Sequence, residues 1–445
     1  MATVSTYHPA MTAVRFAEWK RMRDCMDGEA QVKSTGELYL AMPGGFKAQA
    51  DAGLGMYQAY KGRAQFPAIL APSISAMIGI IHGREIKIEM PDAMMFLWEN
   101  ADGVGLPLEA FHRRITREML IIGGFAVLTD APEGGGDPYL VGFPRDLLIN
   151  WDHDFWVLDE SRDVRDGFAW QQMERYRLLT VDNGLYTPFV FSGDLEAGEP
   201  IVVRGRGGSP LERIPFAVGN AVDLSPRVEA PPLIGVANAA IAIYQLSADY
   251  RHQLYMSGQE TLLAVNGEAP TTVGAGVVHK MTGGEGQMPD LRYVSPSCIG
   301  IDAHKMAMMD QREAAVMAGA RLLEQSAGVQ ESGEARKLRF ASETATLTSI
   351  AQSSCMLLEK SLRNVAMIMG LPEEQVIVTP PEDLLDQTMS ATDFAKLFDV
   401  YDKGGMSWES YHAAGQRGGL FSTEVEAEEE YARIDNPGDL GNNAP

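Results

Sequence analysis

Cysteine is scarce in this chain: Cys25, Cys298 and Cys355 are the three in 445 residues. They are far apart and odd in number. That excludes a disulfide framework and any zinc site of paired cysteines, and leaves reduced buried thiols as the plain reading. Positive charge is also in short supply. Lys and Arg number 37 against 60 Asp and Glu, a net charge of −23. A protein that reads DNA sequence normally offers phosphate a basic face, so that class is disfavoured. A protein that lets DNA pass without gripping it is not, because an acidic wall repels the duplex.

Other absences narrow the chemistry. There is no GxxxxGK[ST] loop, which speaks against ATP hydrolysis by this chain, and no HExxH or GxSxG. Gly123-Gly124 and Gly134 to Gly136 are isolated turn glycines, not a dinucleotide fingerprint. Asp102-Gly103 lacks the alternating acidic set of a calcium loop. The N-terminus has no uninterrupted apolar run with a cleavage site, so no signal peptide is read there. Leu233 to Ala248 is uncharged but shorter than the ~20 residues of a typical membrane span, and it holds Asn238, Gln245 and Ser247. No repeat of fixed period is found.

What is present suits a folded chain of two or three core-bearing units, with 45% hydrophobic and 22% charged residues. The first half alternates helical segments with strands, and strand signals dominate from 139 to 222. Asn183-Gly184 predicts a tight hairpin. The expected class is α+β with a mostly antiparallel sheet. The second half changes character. A helix is expected over 233–257, strands and turns over 260–299, a helix from 303 to about 325 with Asp302 as its N-cap, and another over 341–369. Pro380-Pro381 marks a junction. Short helices follow near 391–403, 408–416 and 423–434, the last with Thr423 and Glu426 as a capping box. The tail from Asp435 reads as disordered.

Three helices have legible faces. In 233–257, Leu233, Val236, Ala237, Ala240, Ile241, Tyr244, Ala248 and Tyr255 form an apolar stripe, while Asn238, Gln245, Asp249 and His252 share a polar one. The polar seam suits either a wet bundle centre or a solvated edge of a core helix. In 303–325 the expected stripe is Met306, Met309, Val316, Ala320 and Leu323. In 341–369 it is Leu347, Ala351, Cys355, Leu358, Leu362, Val365 and Met369.

Two weaker signals complete the reading. Asp152, His153 and Asp154 in WDHDFW are the best metal candidates, yet neighbours on a strand point to opposite faces and rarely converge on one ion. The favoured reading of the segment is a turn between strands, and a metal-dependent hydrolase is the alternative. Arg336, Lys337 and Arg339 form a small basic group at a loop-to-helix junction.

Several segments in order resemble the portal proteins of tailed bacteriophages, most closely the DUF4055 group. They are YQAYKGRAQFPAILAPSISAMIGIIHGREIKIEMP, NADGVGLPLEAFHRRITREMLIIGGFAVLTDAP, PPLIGVANAAIAIYQLSADYRHQLYMSGQETLLAVNG and GARLLEQSAGVQESGEARKLRFASETATLTSIAQS. The likeness covers roughly residues 11 to 370, and more loosely YDKGGMSWESYHAAGQRGG. It implies a portal fold with an α/β wing (1–230), a stem of two helices (231–257 and 302–325), a small β-containing clip (258–301), a tunnel loop (326–340), a long wing helix (341–370), and a helical crown with the C-terminal tail (371–445).

The resemblance also implies a non-enzymatic virion protein without cofactor or metal. It would form a ring, usually of twelve copies, at one capsid vertex, with no membrane contact. Its partners would be other copies of itself, double-stranded DNA in the channel, the terminase large subunit, a head–tail connector and the major capsid protein. The implied sites are the stem face of Asn238, Gln245, Asp249 and His252, as channel wall or subunit contact. The tunnel loop would bring Gln330, Glu331, Ser332, Glu334, Arg336 and Lys337 near DNA. The clip would dock partners through Asn266, Glu268, His279, Lys280 and Glu285. A different virion connector or capsid subunit is the remaining alternative.

Overall fold

Helix starts and stops in this chain follow its local chemistry. The computed structural model describes residues 3–132, 136–192, 198–258, 260–268, 270–273, 276–278, 280–282, 284–294, 300–319, 333–381, 391–417, 421 and 425–435, with backbone alone for 333–344, 391–393, 417 and 432–435. Thr12 caps α1 (Ala13–Asp27) by accepting from the Arg15 amide, and Gly28 turns the chain into α2 (Glu29–Ser34). Then come α3 (Leu54–Arg63), α4 (Leu70–His82), β1 (Lys87–Glu89) and α5 (Leu108–Ile122). The DAMMFLWENA segment forms a 3₁₀ stretch, Asp92–Trp98.

The sheets are antiparallel. The fully buried β2 (Gly124–Asp130) lies between β3 (Tyr139–Pro144) and β12 (Phe216–Asn220). A second sheet is built from β4 (Leu148–Trp151), β5 (Phe155–Asp159), β8 (Arg175–Asp182), β9 (Leu185–Tyr186), β10 (Phe189–Ser192) and β11 (Glu199–Pro200). β6 (Arg162–Asp166) and β7 (Ala169–Met173) pair only with each other. Asn183 and Gly184 both have positive φ, 51° and 79°, and close the β8–β9 hairpin as the sequence predicts.

The second half supplies α6 (Ile234–Ser257), β13 (Thr261–Val265), β14 (Asp290–Val294), α7 (Ile301–Met317), α8 (Gly333–Met369) and β15 (Ile377–Thr379). Leu347, Ala351, Cys355, Leu358, Leu362 and Val365 are buried on α8, as their spacing predicts. α8 packs on α5, β2 and β12. β15 returns to pair with β1, Ile88 opposite Val378. Residues 371–380 therefore belong with the first half, not with the C-terminal segment expected to start at 371. The chain divides into two compact units, Met1–Pro380 and Pro381–Pro445, at the second proline pair.

The second unit holds α9 (Ala391–Asp402), α10 (Trp408–Arg417) and α11 (Ala427–Asp435). Its core is aromatic: Tyr411 stacks on Tyr401 at 4.9 Å, and His412 on Phe421 at 5.3 Å. The Trp408 indole donates to the Ala427 carbonyl (2.6 Å). Thr423 of the expected capping box lies outside the described residues, and Glu426 directly precedes α11.

Two boundaries differ from the sequence reading. Gly300, not Asp302, occupies the N-cap position of α7, and Asp302 sits in the first turn, where its charge suits the helix dipole. α7 ends at Met317, and Ala320 and Leu323 lie outside the described residues. α8 begins at Gly333, so the last part of the expected 326–340 loop is helical. The polar residues that suggested a loop there, Glu334, Arg336 and Lys337, are also good helix formers.

Where α4 and α5 meet α8, the core holds two histidines. His112 is buried and His82 half-buried, with ring centroids 4.8 Å apart. Ser354 donates its proton to the Ala351 carbonyl, so its oxygen accepts from His112 Nε2 (3.2 Å). Thr116 donates to the His112 carbonyl and accepts from His82 Nε2 (2.9 Å). The Cys355 sulfur also lies 4.0 Å from His112 Nε2. Burial pushes His112 down to about 3, with His82 adding to it, and His82 down to about 4, with Arg113 adding to it.

The folded rings stay neutral while the unfolded rings charge near pH 6.5. Stability is thus full above that pH and falls as pH drops toward 4 and then 3. The slope approaches roughly 1 kcal/mol per pH unit for each ring. Urea midpoints at pH 7, 6 and 5 should show this decline, and H112Q should flatten it even if it lowers stability at pH 7.

Candidate assembly and docking site

α6 is buried on most of its circumference because its residues are small. Val236, Ala237, Ala239, Ala240, Ile241, Tyr244 and Ala248 are all enclosed. Tyr255, expected in the same stripe, is exposed at the helix end, where the Arg63 guanidinium lies 4.2 Å from its ring centroid. α7 runs back antiparallel along α6. Gln253 meets His304 (3.2 Å) at one end. At the other, a Cβ on Gly235 would stand 2.7 Å from the Ala318 Cβ. Glycine is what permits that approach.

The shielded row of α7 is Ile301, His304, Met308, Gln311, Ala315 and Ala318, stepping by three and four. The expected stripe falls on a different side. Met306 and Met309 are 66% and 63% exposed, and Met317 is 74% exposed. Of the expected stripe within the described residues, only Val316 is part-shielded. The heptad period was legible, but the methionines drew the reading to the wrong face, since alanines and a glutamine line the seam.

The polar seam of α6 meets the N-terminal helices of the same chain. Asn238 Oδ1 accepts from Arg21 of α1. Gln245 donates to the Tyr39 carbonyl (2.7 Å). Asp249 accepts from the Tyr60 hydroxyl of α3 (2.6 Å), and burial with that bond raises the phenol above its ordinary value. His252 Nδ1 lies 3.2 Å from Arg63, with Phe46 and Tyr60 edge-on to its ring, and burial lowers it. Buried Ser247 joins them, bonding both the amide and the carbonyl of Gln65. These partners are 182 to 217 residues away in sequence, so no local pattern could reveal them.

Between α6 and α7, β13 and β14 form a two-stranded hairpin, Leu263 opposite Arg292. Asn266 follows β13 with φ 54° and reaches the Met288 carbonyl (3.4 Å). Asn266, Glu268, Lys280 and Glu285 are exposed, and so are Tyr293, Val278 and Met288. His279 lies outside the described residues, as do Gln330, Glu331 and Ser332. Glu334, Arg336 and Lys337 fall in the first turns of α8, where the backbone alone is described.

Residues 152–154 form the expected turn between β4 and β5, and the Asp152 amide donates to the Phe155 carbonyl (3.0 Å). A turn can gather neighbours, and the ligand atoms of Asp152, His153 and Asp154 lie within 4.8 Å of one another. All three are exposed, and the carboxylates raise His153 above its ordinary value. Nothing encloses them as a catalytic metal site would be enclosed. Among the described residues, no helix is long and apolar enough to cross a membrane.

Residues 232–369 match the family model described as Domain of unknown function (DUF4055). The match starts at the proline pair before α6 and ends at the last residue of α8, under half of the chain. A search of curated proteins gives no match. Two similar solved structures are the neck of an empty GTA particle computed with C6 symmetry and the neck of a native GTA particle computed with C12 symmetry. The first is 12% identical over 84% of this chain and 95% of that one, with a TM-score of 0.40. The second is 12% identical over 78% and 89%, with a TM-score of 0.39. Likeness this loose transfers no function.

Two outcomes check this description. Gly235→Ala should destabilise the chain by about 1–3 kcal/mol through the clash with Ala318, and Ala318→Gly should recover part of that loss, a positive coupling in a double-mutant cycle. Zinc, manganese or magnesium should leave the melting temperature unchanged. A metal-induced rise that Asp152→Ala and His153→Ala both abolish would instead favour the hydrolase reading.

Proposed function

We propose that this chain is the subunit of a portal-type ring, a structural component of a virion and not an enzyme. In this reading about twelve copies close around a channel at one capsid vertex, and double-stranded DNA passes through it during packaging and ejection. Closed rings arise when one face of a subunit binds a different face of the next.

The observation that carries the proposal is the two-sided patterning of α7. One row is spent on α6, while Met306, Met309 and Met317 stand largely in water. Methionine on an exposed helix face is an adaptable contact surface, and burying each side chain against a neighbour contributes roughly 1.5–3 kcal/mol. The α6–α7 pair then acts as stem, and the β13–β14 hairpin at its tip as clip. The exposed Asn266, Glu268, Lys280 and Glu285 make that tip the docking face for the terminase large subunit and the head–tail connector, and the first unit would face the major capsid protein. The net charge of −23 supports a channel that repels DNA enough to let it slide. The segment after α7 is assigned the role of touching DNA, with Gln330, Glu331, Ser332, Glu334, Arg336 and Lys337.

Native mass spectrometry of the purified chain should show a closed homo-oligomer near twelvefold, and negative-stain images should show a central hole. Met306→Glu with Met309→Glu should shift the chain to monomer at least tenfold more readily while leaving its helical circular dichroism unchanged. A wild-type chain that stays monomeric at every concentration, with and without scaffold or connector, would sink the reading.

A further inference from the structure

The β6–β7 hairpin is the distal half of a longer ribbon. β5 and β8 pair inside the sheet, Leu158 opposite Arg177 and Asp159 opposite Tyr176. The ribbon continues outward through the Glu160 amide bonded to the Arg175 carbonyl (2.8 Å) and the Arg175 amide bonded to Ser161 Oγ (3.1 Å). Beyond that point the five pairs of β6 and β7 carry it on by roughly 17 Å. Every residue of the two strands is exposed except Val164, which is half-buried.

This arm is built unlike a solvated loop. Phe168 at its tip is 99% exposed and Trp170 is 68% exposed. Register places Arg165 directly opposite Trp170, and the Arg165 guanidinium lies 5.7 Å from the Phe168 ring centroid. One face therefore presents two aromatic rings around a cation, and Met173 lies on the other face with Val164. A lone two-stranded ribbon is marginal in water and gains independent stability by packing on something else.

We infer that the β6–β7 arm clasps a second copy of this chain, with Phe168 and Trp170 as its anchors. The inference rests on the ring reading, which puts a neighbour beside every subunit. Two features select that neighbour as the occupant. Two aromatic side chains bury on the order of 400 Å², about half of the ~800 Å² per partner that a free-standing interface needs. The arm is thus too small to capture a partner alone and large enough to secure one already held through α7. The cation between its rings is complementary to the acidic surface that a chain of net charge −23 offers to its copies.

The test uses the full chain and its Phe168→Ser, Trp170→Ser double variant, with melting temperature confirming that the exposed changes leave the fold intact. Native mass spectrometry over a dilution series should show the variant oligomer dissociating at a concentration at least tenfold higher than wild type. Hydrogen exchange should show amides 162–173 protected in the wild-type oligomer and unprotected after dilution. An intact oligomer with freely exchanging 162–173 amides and an unchanged dilution midpoint in the variant overturns the arm while leaving the ring standing. The arm proposal also falls if protection of 162–173 appears only when DNA or another protein is added. A chain that never oligomerises overturns the ring reading and this inference with it.

Discussion

An alanine-rich helix stabilises a fold only where its neighbours come close, and α6 sets that condition for the first unit. Small side chains bring little apolar area each, so the gain comes from enclosing the helix on several sides at once. α7 approaches over Gly235, where no side chain intervenes. α1, α3 and α4 pack on further sides. Ser247 is buried and bonds Gln65, while Asn238, Gln245 and Asp249 lie on the exposed side and reach Arg21, the Tyr39 carbonyl and Tyr60. The N-terminal helices are thus held in place by the middle of the chain, and the stem and wing segments of the sequence reading share one core.

That arrangement explains which parts were legible in the sequence. Periodicity found the buried faces of α6 and α8 because Leu, Ile, Val and Tyr mark them. It failed on α7, where His304, Gln311, Ala315 and Ala318 share the seam with Ile301 and Met308, and Met306, Met309 and Met317 face outward. Hydrophobic pattern reports apolar residues and not what covers them, so an exposed methionine row reads as core. The polar seam on α6 was visible as a face, but its partners were not. The β1–β15 pairing, which moves residues 371–380 into the first unit, depends on contacts across nearly 290 residues, and turn chemistry carries no trace of it. The Asp152–His153–Asp154 segment is the turn between strands that the sequence favoured, and the turn gathers three ligand atoms that strand geometry would have separated.

The distribution of exposed apolar groups supplies the functional logic. Single exposed hydrophobic residues are ordinary on a protein surface. Here several of them lie on the outward face of α7, on the β13–β14 hairpin and on the β6–β7 arm, while the two histidines and Arg145 are sealed inside by carbonyl and hydroxyl partners. The chain encloses its difficult polar groups and leaves easy apolar ones in water. In the proposed ring, such groups supply binding energy that is released only on assembly.

The acidic surface works together with those patches. Like charge on every copy opposes random association, so apolar patches of modest size do not cause aggregation. Assembly then requires several patches to engage together, because no one of them overcomes the repulsion. The stem row and the arm lie on different elements, α7 and the β5–β8 ribbon, so a neighbour that satisfies both must adopt one orientation. On the proposed ring reading, general repulsion together with local, divided attraction favours a closed ring over an irregular cluster.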